Sequence, residues 1–213
     1  MTSRRSGGIR TKRALVPISP PPDLRRGAAT RAQKETFVVF LDRGLPESYL
    51  QWVKRALHHH QITERFPDAG ESPLEIAMRA QRTGRDARAK GSEFDHVWCL
   101  FEGLAPAEVE DLRSQTSVEL ASCAPSIEFW LLLHFEDVPA DTSALEMRDA
   151  LTRHLANPDH DIVEGALEGR FAIAADRARR LAPAATPSAD VQLFVEQVAA
   201  SLAAFDPEVV PKI

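Results

Sequence analysis

Two carboxylates in this sequence fall where α/β proteins commonly do their chemistry. Asp42 closes the apolar run "ETFVVFLD", and Glu102 closes "FDHVWCLFE". Both runs read as buried strands, and an open parallel sheet collects ligands at the carboxyl ends of its strands. Two acids at that edge could hold Mg2+, an ion that takes one or two protein carboxylates and keeps several waters. A third acid, Glu128, begins a helix directly after the fourth strand, near the same edge. The plainer reading is that these are loop acids exposed at strand ends. Spacing alone leaves both open.

The elements that would position these acids follow from apolar spacing. "ETFVVFLD" at 35–42 is a short β-branched and aromatic run suited to a central strand. "PESYLQWVKRALHHH" repeats its apolar residues at helical spacing, and "QITERF" reads as a second strand. Ser72, Pro73 and Glu75 mark a helix start, with a cap, a proline in the first turn and an acid at the third position. "FDHVWCLF" is the third strand, "APAEVEDLRSQ" a short amphipathic helix and "SVELASC" the fourth strand. "PSIEFWLLLHF" is apolar nearly all round, which predicts a buried helix. Further helices follow at "TSALEMRDALTRHL", capped by Ser143 or Thr142, then "DIVEGALEGRFAIAADRARRL" and "SADVQLFVEQVAASLAAF". Strands alternating with helices imply right-handed βαβ units. The expectation is an α/β core over 35–125 with a mostly parallel four-stranded sheet flanked by helices. A helical part over 126–205 and a tail at 206–213 complete the domain.

Charge divides the chain. Residues 1–34 carry Arg4, Arg5, Arg10, Lys12, Arg13, Arg25, Arg26, Arg31 and Lys34 against Asp23 alone. Removing that stretch from a total of 26 basic and 31 acidic residues leaves 17 and 30, a net charge of -13 on the rest. Rich also in Ser, Gly and Pro, the stretch lacks periodicity and reads as a disordered arm. Arg4, Arg5, Arg10, Lys12, Arg13, Arg25 and Arg26 are its candidate nucleic-acid contacts. The alternative is a solvated tail that merely balances the body's charge. "RTGRDARAK" at 82–90 is a second cationic stretch, either a phosphate-contacting patch or a solvated helix end. Three successive histidines, 58–60, point about 100° apart on a helix and so cannot face one ion; they fit a helix C-terminus better.

Other classes are excluded or disfavoured. No apolar run approaches the ~18 to 20 residues that span a bilayer, and the basic N-terminal stretch has no apolar h-region, so neither a membrane span nor a secretory signal is expected. Cys99 and Cys123 lack CxxC spacing and sit among apolar residues, as in a reduced, cytoplasmic protein. Neither GxxxxGK[ST] nor GxGxxG occurs, which leaves a nucleotide-sensing module without support.

Together, "FDHVWCLFEG", "APSIEFWLLLHFED" and "TPSADVQLFVEQV" resemble the RloB-like proteins, which carry a Toprim-type domain. The resemblance covers about residues 35–202. Its most specific piece is the helix with Glu128, Phe129, Trp130, His134 and Phe135. In that motif Trp130 and His134 share a helical face and read as the structural part that ties the helix to the sheet and its loops. The alternative is that His134 or Glu128 reaches the strand ends and positions substrate or metal-bound water. The family implies a Glu after strand one as general acid/base, and an Asp-x-Asp after strand three that holds Mg2+ for phosphoryl transfer. Here Leu41 falls at the first position with Asp42 beside it, Glu102 and Leu104 fall at the pair, and Ala124–Pro125 replaces an Asn-Pro. The resemblance therefore implies a nuclease-derived component of a prokaryotic defence-type module with a largely lost metal site, in which Mg2+ binding is weak or absent. Such a protein would act through nucleic acid or through an ATPase partner of the ABC/AAA kind. The alternative is an active Mg-dependent nuclease whose site is rebuilt from Asp42, Glu102 and Glu128, with Asp42 and Glu102 on the metal.

Overall fold

In a computed structural model the chain is described over residues 34–43, 47–58, 61–155, 165–181, 186–206 and 208. All of these lie in the unit Ala32–Ile213. The seven basic residues Arg4 to Arg26 named as nucleic-acid contacts lie outside the described residues.

Five strands form one sheet: β1 Phe37–Leu41, β2 Ile62–Arg65, β3 His96–Glu102, β4 Glu119–Ala124 and β5 Ser188–Ala189. Their order is β2-β1-β3-β4-β5, parallel throughout except for β5, which runs antiparallel to β4. The expected four parallel strands are present. The count is corrected by β5, whose Ala189 and Ser188 pair with Cys123 and Ala124. Two residues are too few to show a period of two, so nothing in the local pattern announces this strand.

Helices cover both faces: α1 Glu47–Ala56, α2 Pro73–Ala89, α3 Pro106–Gln115, α4 Ile127–Leu133, α5 Ala144–Thr152, α6 Phe171–Arg179 and α7 Val191–Phe205. Alternate strand residues separate into two cores. Phe37, Val39, Leu41, Trp98 and Leu100 pack with α1, α4, α5, α6 and α7. Val38, Phe40, Cys99 and Phe101 pack with α2 and α3 on the other face.

The caps are those expected. Glu75 accepts the Ser72 backbone N–H at 2.8 Å, and the Ser72 hydroxyl accepts the Glu75 N–H at 3.4 Å. Ser143 and Glu146 repeat the arrangement at α5. Two helices are shorter than their apolar patterns. Of the stretch expected as one helix from 161 to 181, residues 161–164 lie outside the described residues; from Gly165 on, the chain is helical only from Phe171, because Gly165 (φ 87°) and Gly169 (φ 70°) take left-handed conformations. α1 ends at Ala56, and His58 has φ 48°, so His58 follows the helix instead of ending it; His59 and His60 lie outside the described residues. Among the described residues, no helix is long and apolar enough to cross a membrane.

Candidate functional site at the carboxyl edge of the sheet

The edge is assembled by β1, β3 and β4 ending side by side. Leu41 pairs with Leu100 and Glu102 with Cys123, and the Asp42 N–H donates to the Leu100 carbonyl at 2.9 Å. Gly103 then turns the chain at φ 76°, with its N–H donating to the Cys123 carbonyl at 2.8 Å. Asp42 and Glu102 are thus brought to neighbouring strand ends. Asp42 Oδ2 lies 3.5 Å from the Glu102 backbone nitrogen, and its Oδ1 accepts the Arg43 N–H at 2.7 Å.

Glu102 has a definite partner. Its Oε1 accepts the Ile127 N–H, the first of α4, at 2.8 Å. A helix leaves its first N–H groups without intrahelical partners, and its N-terminus carries partial positive charge, so a carboxylate there is doubly favoured. Ile127 itself is buried, so its N–H calls for a protein acceptor. The opposite end is treated alike: Arg177 of α6 donates to the Leu133 carbonyl at 2.7 Å and to the Phe135 carbonyl at 3.3 Å. α4 is therefore held at both ends by charges from other elements.

The two leucines at acid positions are built into the cores. Leu41 is 1% exposed and packs on the α1–α4 side, while Leu104 packs against the α2–α3 core. Neither can bind a cation or carry a proton. Among the described residues, no group of three or more His, Cys, Asp or Glu could hold a metal ion. The residues present do not fit the Glu and the Mg2+-holding Asp-x-Asp that the Toprim resemblance implies.

Acids nevertheless gather here. Burial pushes the Cys123 thiol well above its ordinary range, and the charges of Glu102, Glu128, Asp190 and Asp42 push it further. Asp190 was not legible as a site residue, since its place depends on β5. Its N–H donates to the Ser122 carbonyl at 2.8 Å, directly beyond the β4–β5 pairing. Burial raises the Asp190 carboxyl, while Arg113 draws it back down.

Trp130 and His134 lie deeper, in a buried aromatic cluster. The Trp130 indole donates to the Tyr49 hydroxyl at 2.8 Å, and burial raises the Tyr49 hydroxyl far beyond its ordinary range. His134 meets Trp130 edge to face at 4.8 Å between ring centroids, and its Nδ1 lies 3.1 Å from the Trp130 carbonyl oxygen. Burial lowers His134 from 6.5 to about 4, so the ring is neutral at physiological pH. Both residues tie α4 to α1.

A mostly parallel sheet covered on both faces, with acids at its carboxyl edge and a buried helix entering beside them, is consistent with a Toprim-like α/β domain. The chain belongs to the RloB-like protein family, which it matches over residues 46–198. That stretch includes Glu102, Leu104, Glu128, Trp130 and His134, and begins after Leu41 and Asp42. No curated protein and no solved structure matches the chain.

Proposed function

We propose that this protein is the Toprim-fold subunit of a prokaryotic defence-type module, nuclease-derived, and that it acts by binding nucleic acid or an ATPase partner of the ABC/AAA kind. The observation that carries this reading is the engagement of Glu102 with Ile127 at 2.8 Å, together with leucines packed at both neighbouring acid positions. The acid that aligns best with a metal ligand serves the fold. What the edge retains is a scaffold, and the arm of residues 1–34 supplies cationic charge for a polyanionic partner.

One observation favours a second reading, an active Mg-dependent nuclease with a rebuilt site. The charges of Asp42, Glu102, Glu128 and Asp190 all raise the Cys123 thiol, an acidic surrounding of the kind a rebuilt site would need. The two readings separate in a single assay. Labelled single- and double-stranded DNA and RNA are incubated with the protein in Mg2+ or Mn2+, and both binding and strand integrity are read. The first reading expects salt-sensitive binding and intact strands. Cleavage that is lost in Glu102→Ala overturns it in favour of the second.

A further inference from the structure

The opposite edge of the sheet carries a second cationic feature. α2 returns from the end of β2 to the start of β3, so its last turns lie beside the beginnings of β3 and β4. Between Arg79 and Lys90 it holds five basic residues against Asp86, in a body that is otherwise strongly acidic. Many of the other cations are neutralised locally: Lys54 pairs with Glu64, Arg177 with Asp137 and Arg179 with Glu196. On α2, Arg79 is held by Glu71 and Arg88 by Glu93. Arg82 and Arg85 are exposed and make no ion pair or hydrogen bond among the described residues. Arg82, Arg85 and Arg88 follow one another at about 4.5 Å of rise.

Beside this ridge runs a groove of about 340 Å³. Arg85 and Arg88 form one wall, and half-buried Phe94 with Val97 and Val118 gives it an apolar side. Gly84 keeps the helix close, since a Cβ there would meet Val97 Cγ2 at 3.0 Å. Ser117 adds a hydroxyl. Two acids also line the groove, but their carboxylates are engaged elsewhere. Asp95 accepts the Thr36 N–H at 2.7 Å and the Thr36 hydroxyl at 2.9 Å, and Glu119 accepts from the Gln197 amide at 2.9 Å. The groove thus offers guanidinium groups next to a phenyl ring and aliphatic surface. Those are the two halves of a nucleotide's chemistry, a phosphate and a flat base.

We propose that α2 and this groove form a contact surface for single-stranded nucleic acid, with phosphates on Arg82 and Arg85 and one base entering beside Phe94. The surface lies about 16 Å along β3 from Glu102, at 3.3 Å per residue, and is separate from the carboxyl edge. A duplex keeps its bases stacked inside, so it could use the arginines but not the groove. The proposal rests on the reading that this protein binds nucleic acid, and it names the surface.

The test uses the full chain and fluorescence anisotropy of a labelled single-stranded oligonucleotide and of its duplex, over a range of salt. The double variant Arg82→Glu/Arg85→Glu is expected to weaken single-strand binding about tenfold or more. It should also flatten the plot of log affinity against log salt by about 1.4, two contacts at about 0.7 each. Phe94→Leu keeps an apolar side chain in the core and is expected to weaken single-strand binding about fivefold, leaving duplex binding unchanged. If the unaltered chain binds no strand, the nucleic-acid reading itself falls. If it binds and the double variant matches it in affinity and slope, the α2 surface alone is refuted. An equal loss for duplex with Phe94→Leu overturns the role of the groove.

Discussion

The Glu102 carboxylate accepts the Ile127 backbone N–H at 2.8 Å, joining the end of β3 to the start of α4 across 25 positions of sequence. At the edge where a Toprim domain would hold its ion, this side chain closes a helix end. Its worth can be measured without any substrate.

Removing that bond leaves a helix N-terminus short of an acceptor. Glu102→Ala is expected to lower stability by about 1 to 2 kcal/mol in chemical denaturation. Glu102→Gln keeps an acceptor oxygen and should recover much of the loss. Were both substitutions to raise stability, repulsion among Asp42, Glu102, Glu128 and Asp190 would outweigh the bond, as in a site awaiting a cation.

The Tyr49–Trp130 bond anchors α4 to α1 inside the core. Tyr49→Phe deletes the acceptor and strands a buried indole N–H, at a cost of about 1 to 3 kcal/mol. Denaturant midpoints for Tyr49→Phe, Trp130→Phe and the double variant give the coupling. Removing both partners is expected to cost less than the sum of the single changes.

His134 makes the fold sensitive to acid. Its folded-state value is about 4 because burial disfavours the charged ring, against 6.5 when unfolded. Between those values the unfolded chain binds the extra proton, so stability rises with pH. The contribution is complete above about 6.5 and is lost as pH falls toward 4, by roughly 3 kcal/mol in all at about 1.4 per unit. Urea unfolding of the wild type and His134→Phe across this window checks it. The wild type should show the steeper dependence, and equal slopes would remove His134 as the cause.

Strands β1 and β3 were legible because a dense apolar run between turns has few other fates, and Ser72 with Glu75 announced α2 through a local cap. What escaped depends on long-range contacts. β5 is two residues that become a strand only because the end of β4 is there to pair with, and Asp190 reaches the edge for the same reason. Over 165–181 the apolar pattern concealed a non-helical start, whose cause is the backbone at Gly165 and Gly169. Asp42 and Glu102 were placed correctly at the strand ends. The use made of Glu102 was hidden, because its partner is a main-chain N–H rather than a side chain. Nothing in the type or spacing of side chains encodes such a bond.

The basic arm is a separate prediction. Deleting residues 1–33 spares Lys34, which donates to the His58 carbonyl at 3.1 Å. The truncated protein should keep its thermal stability, bind nucleic acid more weakly and show a flatter salt dependence. Anisotropy measured over a salt series checks this. Equal affinity with and without the arm would mean that its charge serves solvation alone.

The most direct test of the central claim is calorimetric titration of Mg2+ and Mn2+ into the wild type and Glu102→Ala, with strand cleavage followed in parallel. No saturable heat attributable to the edge is expected in either protein, and no cleavage. Saturable binding that vanishes with Glu102, accompanied by cleavage, would contradict this and establish a working metal site that includes Glu102.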